Sequence, residues 1–447
     1  MSRLVVVSNR VPSPRERTQP AGGLTVGVRD AVRGTESLWF GWSGQQRADI
    51  AKQKPDLDRV DSVTYATIDL THEQYERFYE NFANGLLWPL CHYRIGIIEF
   101  SREDLQAYRE VNDMFADHLV PLLREDDTIW IHDYHLFPLG EALRKRGVKA
   151  KIGFFLHIPF PPWSVMRVLP CAAQLLHELT AYDLIGVQTE EDVRNLDGCF
   201  EICGLNKRAY HFPIGIDPAE FAEQAVQSVM APEVKRLKDS LRGRKLIIGV
   251  DRLDYSKGIP ERFHGYEVFL NRYPEHKGEV VLLQVTPVSR AGVGSYQELR
   301  RELDELAGHI NAMHGNFDWS PIRYLTQSAP RHILAGFHRI ADVALVTPLR
   351  DGMNLVAKEF IAAQDEHDPG ALILSYLAGA APEMPEALLV NPYDAEDIAE
   401  ALHEALSMTP KERKRRWRVL HDDVTRNTAS NWSETFLDML RDTQPQT

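Results

Sequence analysis

The sequence is poor in cysteine and has no long apolar run, and both features exclude whole classes of protein. Only 4 of its 447 residues are cysteine. They are too few to staple a chain of this length by disulfides, and their spacing matches no common zinc-binding pattern. No apolar run approaches the roughly 18 residues that a membrane helix needs, and the start, Met1–Arg10, lacks the apolar region and cleavage site of a signal peptide. We therefore predict a reduced, cytoplasmic protein with no membrane partner.

An excess of positive charge is also absent. Lysine and arginine total 51 while aspartate and glutamate total 64, so the formal net charge is −13. An acidic surface argues against nonspecific binding to nucleic acid, and we predict no such partner. With 44% hydrophobic and 26% charged residues, the composition is that of a globular protein and excludes a fibrous or disordered one.

Short β-branched runs alternate with helical stretches along the chain, which predicts an α/β fold. Runs such as Leu4–Ser8 and Leu246–Val250 are apolar on both faces, as strands of a parallel sheet covered by helices must be. The pattern restarts near residue 240. We predict a first domain over residues 1–235, a second over residues 236–425, and a C-terminal helix over residues 426–447 that packs back toward the first domain.

A glycine pair, Gly22 and Gly23, lies in the stretch that follows the first predicted strand. Paired glycines let backbone amides approach a phosphate closely, and a helix that begins just after them would add its positive end. The spacing is not that of the dinucleotide-binding fingerprint. Taken alone, the pair is better explained as a flexible turn.

A second candidate loop, Asp251–Gly258, directly follows the buried strand Leu246–Val250. In open α/β sheets ligands bind beyond the carboxyl ends of the strands, so this loop is placed for binding. Arg252 and Lys257 could converge on an anionic group. A solvated loop with arginine–aspartate pairs is an equally good explanation of this motif alone.

The most informative segment is Leu349–Glu359, where a glycine-containing loop leads from a strand into a helix that begins near Asn354. The free amides of such a helix start form a natural site for a diphosphate. Glu359 lies further along the helix and could accept hydrogen bonds from ribose hydroxyls. The alternative is an ordinary capped helix with Glu359 facing solvent, which the glycine loop disfavours.

Polar side chains also follow two strands of the first half. His132, Asp133 and His135 follow one strand, and His157 follows another. No second ligand pair at metal spacing accompanies the histidines, so we predict no metal site. A hydrogen-bonded core histidine is a serious alternative for His157, and we interpret the aromatic stretch Trp39–Trp42 as core or cleft wall.

Eight segments, in order along the chain, together resemble the family of UDP-forming α,α-trehalose-phosphate synthases. They extend from the start of the chain to Glu359, and the resemblance covers residues 1 to about 430. The segments are Val5–Arg10, Ala21–Leu24, Leu38–Gly44, Leu87–Pro89, Trp130–Leu136, His157–Pro161, Arg252–Gly258 and Thr347–Glu359.

The resemblance implies a retaining glucosyltransferase of the GT-B architecture, in which two Rossmann-like domains face each other across a cleft. The first domain would bind the acceptor and the second the nucleotide sugar. Glucose would pass from UDP-glucose to glucose 6-phosphate, which gives α,α-trehalose 6-phosphate and UDP. Neither a cofactor nor a metal ion is implied, and a homo-oligomer is left open.

Each position that matches a family motif takes on the family's role by the same resemblance. Catalysis would fall to Arg252, Lys257, Asp351 and His157, with His157 near the 6-hydroxyl group of the transferred sugar. Donor contacts would come from Gly22, Gly23, Arg252, Lys257, Ala329, Gly352, Met353, Asn354, Leu355, Val356 and Glu359. Acceptor contacts would come from Arg10, Tyr79, Trp88, Asp133 and Arg290.

One departure from the family pattern concerns the base of the donor. Before the predicted helix Arg331–Ile340, where relatives carry an aromatic residue, this chain has Ser328–Pro330. If the backbone binds uracil, Ala329 suffices. If a side chain must stack on the base, other nucleotide sugars become candidate donors.

Two other functions stay open at this stage. One is a sibling transferase with a different acceptor, such as a glucosylglycerol-phosphate or validoxylamine-type synthase. The other is a non-catalytic regulatory relative that binds sugar phosphate. The presence of the acceptor residues favours a sugar-phosphate acceptor, and the presence of Arg252, Lys257 and Glu359 favours an active enzyme.

Overall fold

The computed structural model describes residues 3–12, 28, 36–51, 53–287 and 294–443. The chain divides into two compact units. The first consists of Met1–Ile214 together with Ala429–Thr447, and the second of Gly215–Thr428.

The first unit is built on an eight-stranded sheet with the order β3-β4-β2-β1-β5-β6-β7-β8. The strands are β1 (Leu4–Arg10), β2 (Ser37–Arg47), β3 (Asp56–Val60), β4 (Val63–Thr71), β5 (Thr128–His132), β6 (Lys151–Phe155), β7 (Leu184–Val187) and β8 (Tyr210–His211). All neighbouring strands are parallel except β3, which forms an antiparallel hairpin with β4. The charged, largely exposed β3 blunts that edge of the sheet against further pairing.

The first unit also contains helices, most of them in the connections between parallel strands. They are α1 (His72–Gln74), α2 (Trp88–Cys91), α3 (Arg102–Leu119), α4 (Leu139–Lys145), α5 (Trp163–Met166), α6 (Ala172–Leu179), α7 (Glu190–Ile202) and, at the end of the chain, α16 (Ala429–Asp442). Between α1 and α2 the backbone is π-helical over Tyr75–Leu87. Such wide turns are rare and are often found at functional sites.

The last helix, α16, packs on the central strands of the first unit. A Cβ added to Gly153 of β6 or to Gly186 of β7 would lie 2.7 Å or 2.8 Å from the Phe436 ring. Phe436 also stacks on Trp130 of β5, with 4.9 Å between ring centroids. Glycine at two neighbouring strand positions therefore makes room for an aromatic side chain of α16.

The second unit contains a six-stranded, fully parallel sheet with the order β11-β10-β9-β12-β13-β14. The strands are β9 (Lys245–Val250), β10 (Val280–Val285), β11 (Ile322–Leu325), β12 (Val343–Val346), β13 (Ala371–Ser375) and β14 (Leu388–Val390). The helices are α8 (Pro218–Ser228), α9 (Pro232–Leu241), α10 (Ile259–Arg272), α11 (Gly294–His314), α12 (Arg331–Ile340), α13 (Leu355–Ala363), α14 (Ala395–Ser407) and α15 (Pro410–Arg426). In sequence order this is 3-2-1-4-5-6, the strand order of a Rossmann fold.

The boundary between the units differs from the one predicted at residue 235. Helix α8 packs against α12 and α13, so the second unit begins at Gly215. Its two ends lie side by side, because Ile216 bridges to Thr428 and a Cβ on Gly215 would lie 1.8 Å from the carbonyl oxygen of Asn427. The charge pattern of α8 and α9 carries no sign of which sheet they cover, and the sequence therefore misplaces the join.

In the described part of the chain, no helix is both long and apolar enough to cross a membrane.

Candidate active site

Each sheet has one point at which the strand order reverses, and ligands of open α/β sheets bind beyond the carboxyl ends of the strands at such points. In the first unit the point lies between β1 and β5. In the second it lies between β9 and β12. The residues that follow these four strands are therefore the candidates for each unit.

Asp133, which directly follows β5, has an unusual backbone. Its φ of 78° and ψ of 164° fall in a region that is populated almost only by glycine. Its N–H donates to the carbonyl of Phe155 at 2.8 Å, and its Oδ1 accepts from the backbone N–H of His157 at 3.4 Å. Non-glycine residues in such a conformation concentrate at functional sites, which makes Asp133 a candidate site residue on its backbone alone.

The histidines that end β5 and follow β6 contact each other. His132 Nδ1 lies 3.1 Å from His157 Nε2. His132 is fully buried, whereas His157 keeps part of its surface exposed. Burial lowers the pKa of His157 to about 3 and holds the pKa of His132 well below its usual range, so both rings are neutral. His157 is thus hydrogen-bonded like a core histidine and is still accessible to a ligand.

Arg10 ends β1 and is exposed. Its guanidinium lies across Gly44, where a Cβ would come within 2.9 Å of Arg10 Nε. Gly44 also has a φ of +90°, which favours glycine. The Leu38–Gly44 motif thus ends in a glycine that makes room for the arginine.

Two predicted acceptor residues differ in how far their rings are exposed. Tyr79, in the π-helical segment, is partly exposed and stacks on His135 at 5.8 Å between centroids and 13° between planes. Trp88 is only 5% exposed and packs against His92 and Tyr134. The Trp88 ring is therefore mainly a core group in this unit.

The second unit brings together residues from two separate motifs. Lys257 Nζ lies 2.6 Å from Asp351 Oδ2, and Asn354 Nδ2 donates to the same oxygen at 3.0 Å. Gly258, at a φ of +62°, allows this approach, because a Cβ there would lie 2.2 Å from the carbonyl oxygen of Thr347. Arg252 is exposed on the same loop after β9.

The start of α13 has the features predicted for a diphosphate site. Asn354 caps the helix from a left-handed conformation with a φ of 82°, and its Oδ1 accepts from the N–H of Ala357 at 3.4 Å. Leu355 and Val356, in the first turn, are partly exposed. The preceding Gly352 and Met353 are buried.

Glu359 does not simply face solvent, so the alternative of an ordinary capped helix with a solvent-facing Glu359 is wrong. Its Oε1 lies 3.4 Å from Arg331 Nη2, and its side chain is 21% exposed. Burial raises the pKa of Glu359, and Arg331 opposes that shift. Ala329, partly exposed, precedes the α12 helix that carries Arg331.

Sequence reasoning missed a buried arginine that joins three strand ends of the second sheet. Arg262 of α10 is 0% exposed and donates to Asp251 Oδ2 at 2.5 Å and to Thr347 Oγ1 at 3.0 Å. It also donates to Gln284 Oε1 at 2.8 Å. The sequence feature that could have indicated Arg262 is its position as a single arginine among the apolar residues of a helix face, next to Ile259 and Phe263.

Three predicted site residues, Gly22, Gly23 and Arg290, lie outside the described residues. Within the described chain, one group has the composition of a metal site: Glu275, His276 and His403. His276 Nε2 and His403 Nδ1 are 3.1 Å apart, a distance that a hydrogen bond between the two rings explains without a metal ion.

Comparisons with known proteins agree over the whole chain. A family model described as glycosyltransferase family 20 matches residues 2–442. A trehalose-6-phosphate synthase from Cronobacter sakazakii is 45% identical over 462 aligned positions, which cover 100% of this chain and 96% of that protein.

Two solved structures of similar proteins hold ligands. One, described as trehalose-6-phosphate from E. coli bound with UDP-2-fluoro glucose, is 44% identical, covers 100% of both chains and has a TM-score of 0.95. The other is a UDP-forming α,α-trehalose-phosphate synthase from Burkholderia xenovorans in complex with glucose-6-phosphate. It is 42% identical, covers 98% of this chain and 100% of that one, and has a TM-score of 0.94.

Proposed function

Since this chain belongs to glycosyltransferase family 20, we propose that it transfers glucose from UDP-glucose to glucose 6-phosphate and releases α,α-trehalose 6-phosphate and UDP. The named relatives support this reaction, as do the similar structures with UDP-2-fluoro glucose and with glucose-6-phosphate. The fold is the predicted GT-B class, with two Rossmann-like α/β units.

The observation that carries the proposal is the Lys257–Asp351–Asn354 cluster beside the start of α13. Breaking a glycosyl–phosphate bond leaves negative charge on the departing diphosphate. Lys257, Arg252 and the first amides of α13 supply fixed positive charge and hydrogen-bond donors for that charge. Asp351 fixes the direction of the lysine and can accept hydrogen bonds from hydroxyls of the donor sugar.

The same arrangement supports retention of configuration without an enzyme nucleophile. The departing phosphate oxygen takes the proton of the attacking acceptor hydroxyl, and attack occurs on the face that the phosphate leaves. The enzyme's task is then to hold both substrates and stabilise the leaving group. Full activity in excess EDTA is expected, and a trapped covalent glycosyl-enzyme on an aspartate or glutamate would refute this mechanism.

Substrate positioning is divided between the two units in this proposal. Glu359 accepts from the ribose, and Ala329 binds the uracil through its backbone. In the first unit, His157 contacts the transferred glucose, and Asp133 and Arg10 bind the acceptor. The roles of Trp88, Tyr79, Gly22, Gly23 and Arg290 stay as the resemblance implies.

The direct test measures UDP release with UDP-glucose as donor and three separate acceptors: glucose 6-phosphate, glucose and glycerol 3-phosphate. We expect turnover only with glucose 6-phosphate. Preference for glycerol 3-phosphate would identify a sibling transferase. Binding of sugar phosphate without UDP release in any mixture would identify a regulatory relative.

A cytoplasmic location and a homo-oligomer complete the proposal. The four cysteines are all free thiols, which fits a reducing compartment. Light scattering on the purified chain measures its oligomeric state.

A further inference from the structure

We propose that Lys358 and Glu383 are a pair of positioning residues for the donor sugar. Their ion pair ties the β13 loop (residues 376–383) to α13, and the β13 loop in turn holds the backbone of the donor loop (residues 351–353). The contact of the donor loop with the sugar rests on the proposed function. The contacts among the two loops and the helix rest on the geometry of the second unit alone.

Backbone hydrogen bonds join the β13 loop to the donor loop. The N–H of Asp351 donates to the carbonyl of Leu377 at 3.3 Å, and the N–H of Gly379 donates to the carbonyl of Asp351 at 3.0 Å. The N–H of Ala380 donates to the carbonyl of Met353 at 2.8 Å. The β13 loop thus fixes the backbone at both ends of the donor loop.

The two loops are also in such close contact that no side chain fits between them. A Cβ added to Gly379 would lie 1.8 Å from the carbonyl oxygen of Gly352 and 3.1 Å from the Cα of Met353. Atoms 1.8 Å apart overlap, so the contact with the donor loop requires glycine at position 379. Because the loops touch and share hydrogen bonds, the position of the donor loop depends on where the β13 loop lies.

The β13 loop ends in a 3₁₀ turn, Ala381–Glu383, which carries the acidic partner of the pair. Glu383 Oε2 accepts from Lys358 Nζ at 2.7 Å. The side chain of Lys358 is 1% exposed and that of Glu383 is 16% exposed. Lys358 lies in α13, four residues after the capping residue Asn354. The ion pair therefore connects the helix at the proposed diphosphate site to the loop that contacts residues 351–353.

A buried ion pair of this kind fixes an arrangement more than it adds stability. The loss of hydration of the two charges offsets their attraction, whereas separating the partners leaves a buried charge uncompensated. Displacement of the β13 loop from α13 would expose Lys358 to that penalty. Because Lys358 is buried, it acts through the loop and not by touching a ligand. Positioning thus gives a role to a residue of the Thr347–Glu359 motif that has none among the implied donor contacts.

The first test measures hydrogen exchange by mass spectrometry in the full-length chain without substrate. The amides of Gly379 and Ala380, which donate to the donor loop, report on the contact between the loops. We expect peptides that span residues 377–384 to exchange faster in Lys358→Met and in Glu383→Gln than in the wild type, because the contact opens more often. Unchanged exchange in both variants would show that the pair does not hold the loop.

The second test measures steady-state kinetics, with each substrate varied, in Lys358→Met, Glu383→Gln and the double variant. Misplacement of the donor loop should lower kcat/KM for UDP-glucose by about 10- to 100-fold in each single variant. The KM for glucose 6-phosphate should change little. The double variant should lose no more than the larger single loss, because the two residues act as one unit. Losses that multiply in the double variant would refute the pair.

A matched control is Arg413→Met. The side chain of Arg413 is 13% exposed and pairs at 2.7 Å with Asp368, which precedes the amino end of β13, whereas the β13 loop follows its carboxyl end. This variant should lower the free energy of unfolding in urea without changing the exchange of residues 377–384 or kcat/KM for UDP-glucose. Equal losses of kcat/KM in the control and in the pair variants would reduce the pair to a general contribution to stability.

The two tests separate this inference from the proposed function. If the wild type released no UDP from UDP-glucose with glucose 6-phosphate as acceptor, the proposed function would fail. Hydrogen exchange would still decide whether Lys358 and Glu383 hold the β13 loop against the donor loop. Faster exchange in the variants together with an unchanged kcat/KM for UDP-glucose would overturn the positioning role and leave the proposed function standing.

Discussion

The backbone conformation of Asp133 leads to a prediction that separates stability from activity. Asp133→Gly removes the side chain at a position with a φ of 78° and a ψ of 164°, whereas Asp133→Ala removes the carboxylate and keeps the Cβ. Strain at such a position is worth about 1–3 kcal/mol. In the opposite direction, the greater entropy of glycine in the unfolded state lowers the free energy of unfolding by about 0.4–1 kcal/mol relative to alanine. The free energy of unfolding of Asp133→Gly should therefore exceed that of Asp133→Ala by about 1–2 kcal/mol.

Activity should fall in both variants alike. Each loses the carboxylate proposed to bind the acceptor, and a charge-assisted hydrogen bond is worth about 1.5–3 kcal/mol, or roughly tenfold or more in kcat/KM for glucose 6-phosphate. The glycine variant would then be the more stable of two variants with similarly reduced activity.

Urea unfolding followed by tryptophan fluorescence measures the stability, because most of the 8 tryptophans lie in the first unit. The control is Asp61, another aspartate with positive φ (54°), in the hairpin between β3 and β4. Asp61→Gly and Asp61→Ala should leave kcat/KM unchanged. Equal stabilities of Asp133→Gly and Asp133→Ala would refute the argument that the site stores backbone strain.

Three further predictions concern charge and space. Lys257→Ala should lower kcat by about 10²–10³-fold because a fixed charge at the leaving diphosphate is lost. The control, Lys245→Ala, breaks a similar 2.7 Å ion pair at the amino end of β9 and should leave kcat unchanged. Equal kcat values in the two variants would exclude the proposed role of Lys257. Gly44→Ala should displace the Arg10 guanidinium and raise KM for glucose 6-phosphate with little change in KM for UDP-glucose, and steady-state kinetics with each substrate varied checks both. Burial raises the pKa of Glu178 from 4.5 to about 7. Between those pH values the folded state holds a proton that the unfolded state releases, so the free energy of unfolding falls as pH rises. In urea titrations at several pH values, Glu178→Gln should lack this part of the decrease in unfolding free energy with pH, and an unchanged decrease would contradict the raised pKa.

Much of the fold could be predicted because parallel strands buried on both faces leave a clear apolar signal. The predicted strand Leu4–Ser8 lies within β1, and β9 begins one residue before the predicted strand Leu246–Val250. By contrast, β2 was not recognised as a strand. Its sequence mixes aromatic residues with two glycines and a polar end, and its strand conformation depends on pairing with β1 and β4 rather than on its own pattern.

In the candidate site, too, contacts that depend on residues far apart in sequence could not be predicted. The family resemblance placed Lys257 and Asp351 in one site, and the structure brings them into contact. The buried Arg262 and the His132–His157 contact were not predicted, because each depends on partners far apart in sequence. No local pattern encodes which of several histidines in a strand-end motif turns inward.

The two units place a strained residue at corresponding points of their sheets. Asp133 follows β5 and Asn354 lies in the loop after β12, and these strands hold the same position beside the reversal of strand order. Their φ values are 78° and 82°, although neither residue is glycine. A positive φ turns the chain sharply at the carboxyl end of the strand, so that a short polar side chain and the following amides face the region where ligands bind. Asparagine tolerates the left-handed region, in which Asn354 lies, better than longer residues do, whereas the ψ of 164° places Asp133 in the region populated almost only by glycine. Both side chains keep a hydrogen-bonding group that glycine would lack. The strain at both positions agrees with the ligand-binding roles proposed above for these two residues.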